Sequence, residues 1–287
     1  MEENRALVSD RAGRKMPDFL QTLLYKNAYS RSFFTMWGLV LQELRVVFLQ
    51  FFTFRYPIRS LLHCLGVVFS TLTRLILGRS LKYSFAHFGE DRILEGLLKP
   101  SIQQPGFYVE VGCNRPKFLS NTYGLYRKGW RGVCVDANAS HIRQFGWYRP
   151  RDIAVCALVS EKEEDQSFFL IQNDVLSTSQ PDFLKEYHQE GLTVRETKMK
   201  GRRLTSILGD ADVPARFDLL SVDAEEQDLE VLRSMDWSRY RPEWVVVEDE
   251  TFEMGKMEEN PICAWMTNQG YRLEGFVLKN LYFREEG

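Results

Sequence analysis

The chain has 287 residues, 44% hydrophobic and 26% charged, with a net charge of −2; this size and apolar content allow one large domain with an appendage and exclude a disordered or fibrous chain. Its five cysteines (Cys64, Cys113, Cys134, Cys156 and Cys263) are odd in number and no pair has CxxC spacing, which argues against a disulfide framework or a zinc site and fits a reducing compartment. The small net charge hides a division: residues 1–85 carry twelve Lys/Arg against five Asp/Glu, and the remainder carries 25 against 34, so the two parts meet different partners.

Residues 1–18 are polar, without apolar periodicity, and are expected to be disordered. Residues 19–80 form a basic, apolar region in which Phe33–Phe54 and Leu61–Leu77 read as helices separated near Pro57. Glu43 and Arg45 in the first run make it a poor membrane span, and the second run is at the short limit. Two roles stay open for it. One is a helical hairpin on an anionic membrane surface, with Arg31, Arg45, Arg55, Arg59, Arg74 and Arg79 toward phosphates. The other is a cap packed on the following domain or on a second copy, as a homodimer. The N-terminus lacks the pattern of a signal peptide, and the chain is read as cytoplasmic, with peripheral membrane contact as the extension of the first role.

From residue 81 to 287 short apolar runs alternate with helix-like segments, the pattern of a mostly parallel α/β sheet covered by helices on both faces. The spacing predicts a helix over Glu90–Lys99, a strand at Phe107–Val111, a helix over Asn121–Lys128 begun by Ser120 and stopped by Gly129, and a strand at Gly132–Asp136. A helix near Ser140–Phe145, strands at Ile153–Val159 and Ser167–Ile171, and a short helix from Arg203 to Leu208 follow. Then come strand Phe217–Asp223, helix Glu226–Ser234, strand Glu243–Asp249 and helix Asn260–Gln269. An antiparallel hairpin, Tyr271–Leu278 and Leu281–Arg284 around Lys279–Asn280, closes the chain, unlike a dinucleotide-binding fold. The polar stretch Asp182–Lys200 reads as an insertion, and the loops Asn173–Gly201 and Thr251–Glu259 as the seat of substrate choice.

Three strand ends are acidic: Asp136, Asp223, and Glu248 with Asp249. Ligands bind outside the carboxyl ends of such strands, where strand order reverses. After the first strand comes Glu110-Val111-Gly112-Cys113-Asn114-Arg115-Pro116. Gly112 permits close backbone approach, while Asn114 and Pro116 stand where a pyrophosphate-binding GxGxxG needs glycine. Glu110 suits an ammonium group, although a glycine after a strand is more often a plain turn. Asp136 lies 24 residues beyond Gly112, the spacing of a ribose-binding carboxylate, with an N-cap as its competing role.

These residues carry a resemblance. Phe107 to Pro116, Ser120-Asn121-Thr122, and Gly129 to Asn138 resemble the cofactor half of FkbM-type methyltransferases; Phe217 to Ser234 and Arg241-Pro242 leading into Glu248 resemble that family's second signature. The lead-in Ser84 to Asp91 is also similar, and the likeness spans about Ser84 to Arg284. It implies a Rossmann-like class I methyltransferase fold that uses S-adenosyl-L-methionine and methylates a hydroxyl of a sugar, glycan or other small metabolite. By position it implies Glu110, Gly112 and Asn114 along the cofactor's methionine portion, Asp136 with Asn138 at its ribose, and Asp223, Glu225 and Glu248 toward the acceptor. Two departures stand out: Glu226 in place of glycine after Glu225, and His87 in place of the more usual glutamine of the lead-in.

Methyl transfer from a sulfonium is an in-line displacement, and an alcohol must lose its proton as it attacks. Asp223 is the expected proton acceptor, or a helper in holding a divalent ion, with Glu225 and Glu248 in support. No HxxxH or HExxH spacing supports a dedicated metal site. His141, early in a helix, is read as a surface histidine. The tryptophans from Trp130 to Trp265 are read as packing residues. The rivals are a nicotinamide-dependent oxidoreductase, disfavoured by the broken glycine pattern, and a membrane-tethered S-adenosylmethionine-binding module without turnover, to which Glu226 lends some weight. The acidic balance of the domain argues against a nucleic-acid partner.

Overall fold

The computed structural model describes residues 84–98, 105–171, 194–225 and 227–286, together with Gly66 and Phe69. The chain divides into two units, residues 1–83 and 84–287. Apart from Gly66 and Phe69, the expected disordered N-terminus and helical region lie outside the described residues, as do Cys64 and Glu226.

The second unit runs α1 (Glu90–Leu97), β1 (Phe107–Val111), α2 (Tyr123–Arg127), β2 (Arg131–Asp136), α3 (Ala139–Tyr148), β3 (Ile153–Cys156) and β4 (Leu158–Val159). It continues with β5 (Asp165–Ile171), β6 (Val194–Arg202), α4 (Leu204–Asp210), β7 (Arg216–Val222), α5 (Asp228–Arg233) and β8 (Arg241–Glu248). A 3-10 helix (Met254–Glu259), α6 (Pro261–Asn268), β9 (Tyr271–Val277) and β10 (Asn280–Glu285) complete it.

Seven strands form one sheet in the order β3-β2-β1-β7-β8-β10-β9. β1, β2, β3, β7 and β8 are mutually parallel, and β10 is antiparallel to both β8 and β9. Alternation along the strands sorts side chains to two faces. Val109, Val133, Leu220 and Val245 pack with Leu208 of α4, Leu232 of α5 and Met266 of α6. Tyr108, Cys134, Leu219 and Val246 pack on the other face with Leu94 of α1, Leu125 of α2 and Phe145 of α3. Helices therefore cover both faces, and strand order reverses between β1 and β7.

The second face contains a buried ion cluster. Arg149 is fully buried at the end of α3. Its Nε donates to Asp152 Oδ2 at 2.6 Å, Nη1 to Ser120 Oγ at 3.1 Å, and Nη2 to Tyr108 Oη at 2.9 Å and Thr122 Oγ1 at 2.7 Å. Nη1 also lies 3.4 Å from Glu110 Oε2. Asp152 accepts in addition from Gly132 N at 3.0 Å and Tyr108 Oη at 2.8 Å. One guanidinium thus joins β1, β2, α3 and the segment before α2, and satisfies two carboxylates that could not be buried alone.

Differences from the expected elements have local causes. β6 was not expected. Its Arg195, Glu196, Lys198 and Lys200 are exposed, so it carries no period-2 apolar signal; it forms because β5 needs a partner, pairing antiparallel from Asp165–Lys200 to Ile171–Val194. β4 and β6 run parallel, giving a separate three-stranded sheet. The Ile153–Val159 run splits at Ala157, whose N–H donates to Asp136 O at 3.1 Å. The last hairpin turns at Leu278–Lys279, one residue earlier than expected, with Leu278 left-handed at φ 56°. Trp147 is exposed rather than packed.

Removing only one partner of a buried ion cluster leaves uncompensated charge. Arg149→Met is expected to lower unfolding free energy by about 3–5 kcal/mol in denaturant titration, with Asp152→Asn less affected than Asp152→Ala.

Candidate active site

The β1–β7 switch point is where the acidic strand ends meet. Gly112 has φ +75°, and a Cβ on it would lie 1.6 Å from the Asp223 carbonyl oxygen. The requirement for glycine is therefore set by the neighbouring strand end, not by a ligand. Gly112 N and Cys113 N both donate to Val135 O (2.9 and 3.1 Å), and Asp223 N donates to Val111 O at 3.0 Å. Three strand ends are laced together above the sheet, beside a cleft of ≈ 200 Å³.

At one end of this lacing Asp136 accepts from Asn114 N through Oδ2 (2.8 Å) and from Asn138 N through Oδ1 (2.7 Å). A carboxylate has about four acceptor positions, so two remain for other donors. Asn114 is left-handed at φ 46°, lines the cleft, and its buried Oδ1 has no hydrogen-bond partner. Asn138 is buried and caps α3, its Oδ1 accepting from Ser140 N at 2.9 Å and Ser140 Oγ at 2.7 Å; it does not line the cleft. The cap role weighed for Asp136 belongs to Asn138.

Glu110 is also not brought to the cleft. Strand alternation turns it to the Tyr108 face, where Oε1 accepts from Asn121 N at 3.0 Å and Oε2 from Thr122 Oγ1 at 2.5 Å, beside Arg149. The expectation that it meets an ammonium group fails on geometry: its carboxylate is consumed inside the fold.

His141 was expected on the helix surface but is buried and lines the cleft. Since Asn138 Oδ1 accepts from Ser140, the Asn138 Nδ2 faces His141 Nε2 at 3.4 Å. The Nε2 must then be the acceptor, which puts the proton on Nδ1, 3.7 Å from Asp136 Oδ1. Its position on the first turn of α3 was legible; the direction it faces was not.

At the other end Asp223, Glu225 and Glu248 share the cleft wall, each half-buried. Burial and then the charge of neighbouring Glu248 hold the Asp223 carboxyl well above the usual carboxylate range. Burial and then Glu248 push Glu225 up to about 7. Asp228, buried behind them, is pushed up to about 7 chiefly by burial, and its Oδ1 accepts from Ala224 N at 2.9 Å. Lys279, in the hairpin turn, lines the cleft and pairs with Glu250. Asp228, Lys279 and the neighbouring Asn280 escaped the sequence reading, because the pairing of Asn280 with Glu248 depends on β10 lying next to β8. Among the described residues no group of three His, Cys, Asp or Glu is arranged to hold a metal ion. No described helix is long and apolar enough to cross a membrane.

The family profile described as Methyltransferase FkbM domain matches residues 110–273. The chain belongs to this family. Its FkbM domain makes it a methyltransferase whose cofactor is S-adenosyl-L-methionine. No curated protein matches the chain. Among solved structures it is similar to an O-methyltransferase from Bacillus cereus in complex with S-adenosylhomocysteine, at 12% identity over 69% of this chain and 80% of that one, TM-score 0.35. It is also similar to a TehB-like S-adenosylmethionine-dependent methyltransferase from Corynebacterium glutamicum, at 13% over 78% and 98%, TM-score 0.35. A third similar structure is the MycE methyltransferase of the mycinamycin biosynthetic pathway with magnesium, S-adenosylhomocysteine and mycinamycin VI, at 12% over 72% and 51%, TM-score 0.39.

The donor set fits the FkbM cofactor: an unpaired buried acceptor on Asn114, spare acceptor positions on Asp136, and apolar Leu158 and Phe168 along the same cleft. Full-length Asp136→Ala is expected to bind S-adenosylhomocysteine roughly 10–100-fold more weakly by calorimetry, the span given by losing a hydrogen bond to a charged group. Undiminished affinity in a folded variant would remove Asp136 from the cofactor site.

Proposed function

We propose that the cleft methylates a hydroxyl of a sugar, glycan or other small metabolite, and that the Asp223–Glu248 pair takes the hydroxyl proton. The observation that carries this reading is the convergence of Asp223, Glu225 and Glu248 on one cleft wall, with burial and mutual charge raising the Asp223 and Glu225 carboxyls. Bound S-adenosylmethionine supplies an electrophilic methyl group on a positively charged sulfur.

Asn114, Asp136 and His141 would hold that cofactor, with the Gly112 turn kept flat against Asp223 so that no side chain intrudes. Burial and the adjacent negative charge of Glu248 disfavour the ionised form of Asp223. Once ionised, Asp223 accepts from an acceptor hydroxyl, and its raised pKa makes it a stronger base than an exposed carboxylate. Glu225, left-handed at φ 49°, is aimed into the cleft by a strained loop that Asp228 braces through Ala224 N. Its negative charge above neutrality favours the positive charge carried by the sulfonium and the transition state.

Asp223→Asn is expected to lower kcat by about 10²-fold or more with little change in S-adenosylhomocysteine affinity; turnover close to wild type would sink the base assignment. The pH dependence follows from the raised carboxyls. Below about 7 Glu225 is protonated, and protonation of the raised Asp223 carboxyl removes the proton acceptor, so the rate rises with pH through neutrality. Glu225→Gln should flatten the limb near pH 7, and a wild-type profile already flat across neutrality would count against the scheme.

A further inference from the structure

One pair of rings at the cleft is used by neither the cofactor residues nor the proton acceptor. His87 and Phe88, just before α1, stack with centroids 3.9 Å apart and planes at 22°. Both are exposed, Phe88 by 44%, and both line the cleft. Single exposed apolar side chains are common on protein surfaces. This pair differs because it is fixed in relation to the carboxylates. Phe88 N donates to Glu90 Oε2 at 2.8 Å, and Asn280 Nδ2 donates to Glu90 Oε1 at 3.1 Å. Asn280 lies opposite Glu248 in the β8–β10 ladder, and Glu248 and Asp223 line the same cleft. Glu90 is buried with both oxygens engaged, so it fixes the backbone that carries the two rings at the cleft.

We propose that the His87–Phe88 pair is a stacking platform for a pyranose ring of the methyl acceptor. The proposal rests on the reading of the cleft as the site of methyl transfer to a hydroxyl. A pyranose has an apolar C–H face bounded by a rim of hydroxyls. The aromatic face takes the first, and the carboxylates, Lys279 and the Asn280 carboxamide take the second. An acyclic polyol has the hydroxyls without a rigid face. A phenol has the face but a single hydroxyl for a wall carrying several polar groups.

The test is saturation-transfer difference NMR on full-length protein with S-adenosylhomocysteine present, using methyl β-D-glucopyranoside, sorbitol and phenol as probes. The ring C–H protons of the pyranoside are expected to saturate, with several-fold weaker signals from sorbitol and phenol. Phe88→Ala should reduce the pyranoside signal by roughly fivefold, the scale of a lost stacking contact, and His87→Gln should reduce it by less. Calorimetric affinity for S-adenosylhomocysteine and melting temperature should stay at wild-type values in both, since both side chains are exposed. A pyranoside signal unchanged in Phe88→Ala, absent in the wild type, or matched by sorbitol or phenol overturns the platform. Failure of wild-type protein to bind S-adenosylhomocysteine is a separate result that sinks the reading of the cleft itself.

Discussion

The site depends on one steric fact: β1 and β7 end so close together that only hydrogen fits at the α-carbon of residue 112. A Cβ there would sit 1.6 Å from the Asp223 carbonyl oxygen. Parallel strands normally keep their ends apart as side chains crowd the turn, but here the turn folds flat. Val111 can then accept from Asp223 N, while Val135 accepts from Gly112 N and Cys113 N. The strand that brings Asp136 and the strand that brings Asp223 are thereby fixed on either side of a common turn. Asp136 and the Asp223, Glu225 and Glu248 carboxyls thus stand on one rigid lacing, which suits the alignment of three atoms that a displacement requires.

The opposite face of the sheet supports that lacing by different means. Arg149 joins the ends of β1 and α3 and holds the Ser120–Thr122 segment. Asn121, in the middle of that segment, lines the cleft and donates to Ser221 Oγ at 3.1 Å. A charged cluster facing away from the cleft therefore determines where one of its walls stands. The fold separates two tasks that the sequence places side by side in Glu110-Val111-Gly112: holding and exposing.

Much of this architecture was legible because apolar strands such as Phe107–Val111 and acidic strand ends leave strong local signals. The alternation of helices and strands and the terminal hairpin were readable from the same signals. What was not legible turns on direction and partnership. Glu110 looked like a ligand group, but the register of β1 faces it into the fold. His141 looked like surface, but the first turn of α3 aims it back over Asp136. β6 has charges on its exposed positions and becomes a strand only through β5, a tertiary effect absent from its own residues. Lys279 and Asn280 reach the cleft through a ladder between segments more than thirty residues apart, Asn280 opposite Glu248.

The buried carboxyl behind the site also carries an energetic debt. Asp228 has its acidity moved from the ordinary carboxylate range to about 7. In the unfolded chain it would be ionised above about pH 4, while in the folded chain it stays protonated to near neutrality. The unfolded state therefore releases a proton that the native state retains, and native stability declines as pH rises between those limits. From Asp228 alone the full decline is on the order of 4 kcal/mol, a large fraction of a typical domain's margin. The contribution of Asp228 is therefore fully lost above neutrality. A cationic ligand in the cleft, which favours the ionised carboxyls, returns part of that margin, so resting and working enzyme have different pH optima for survival.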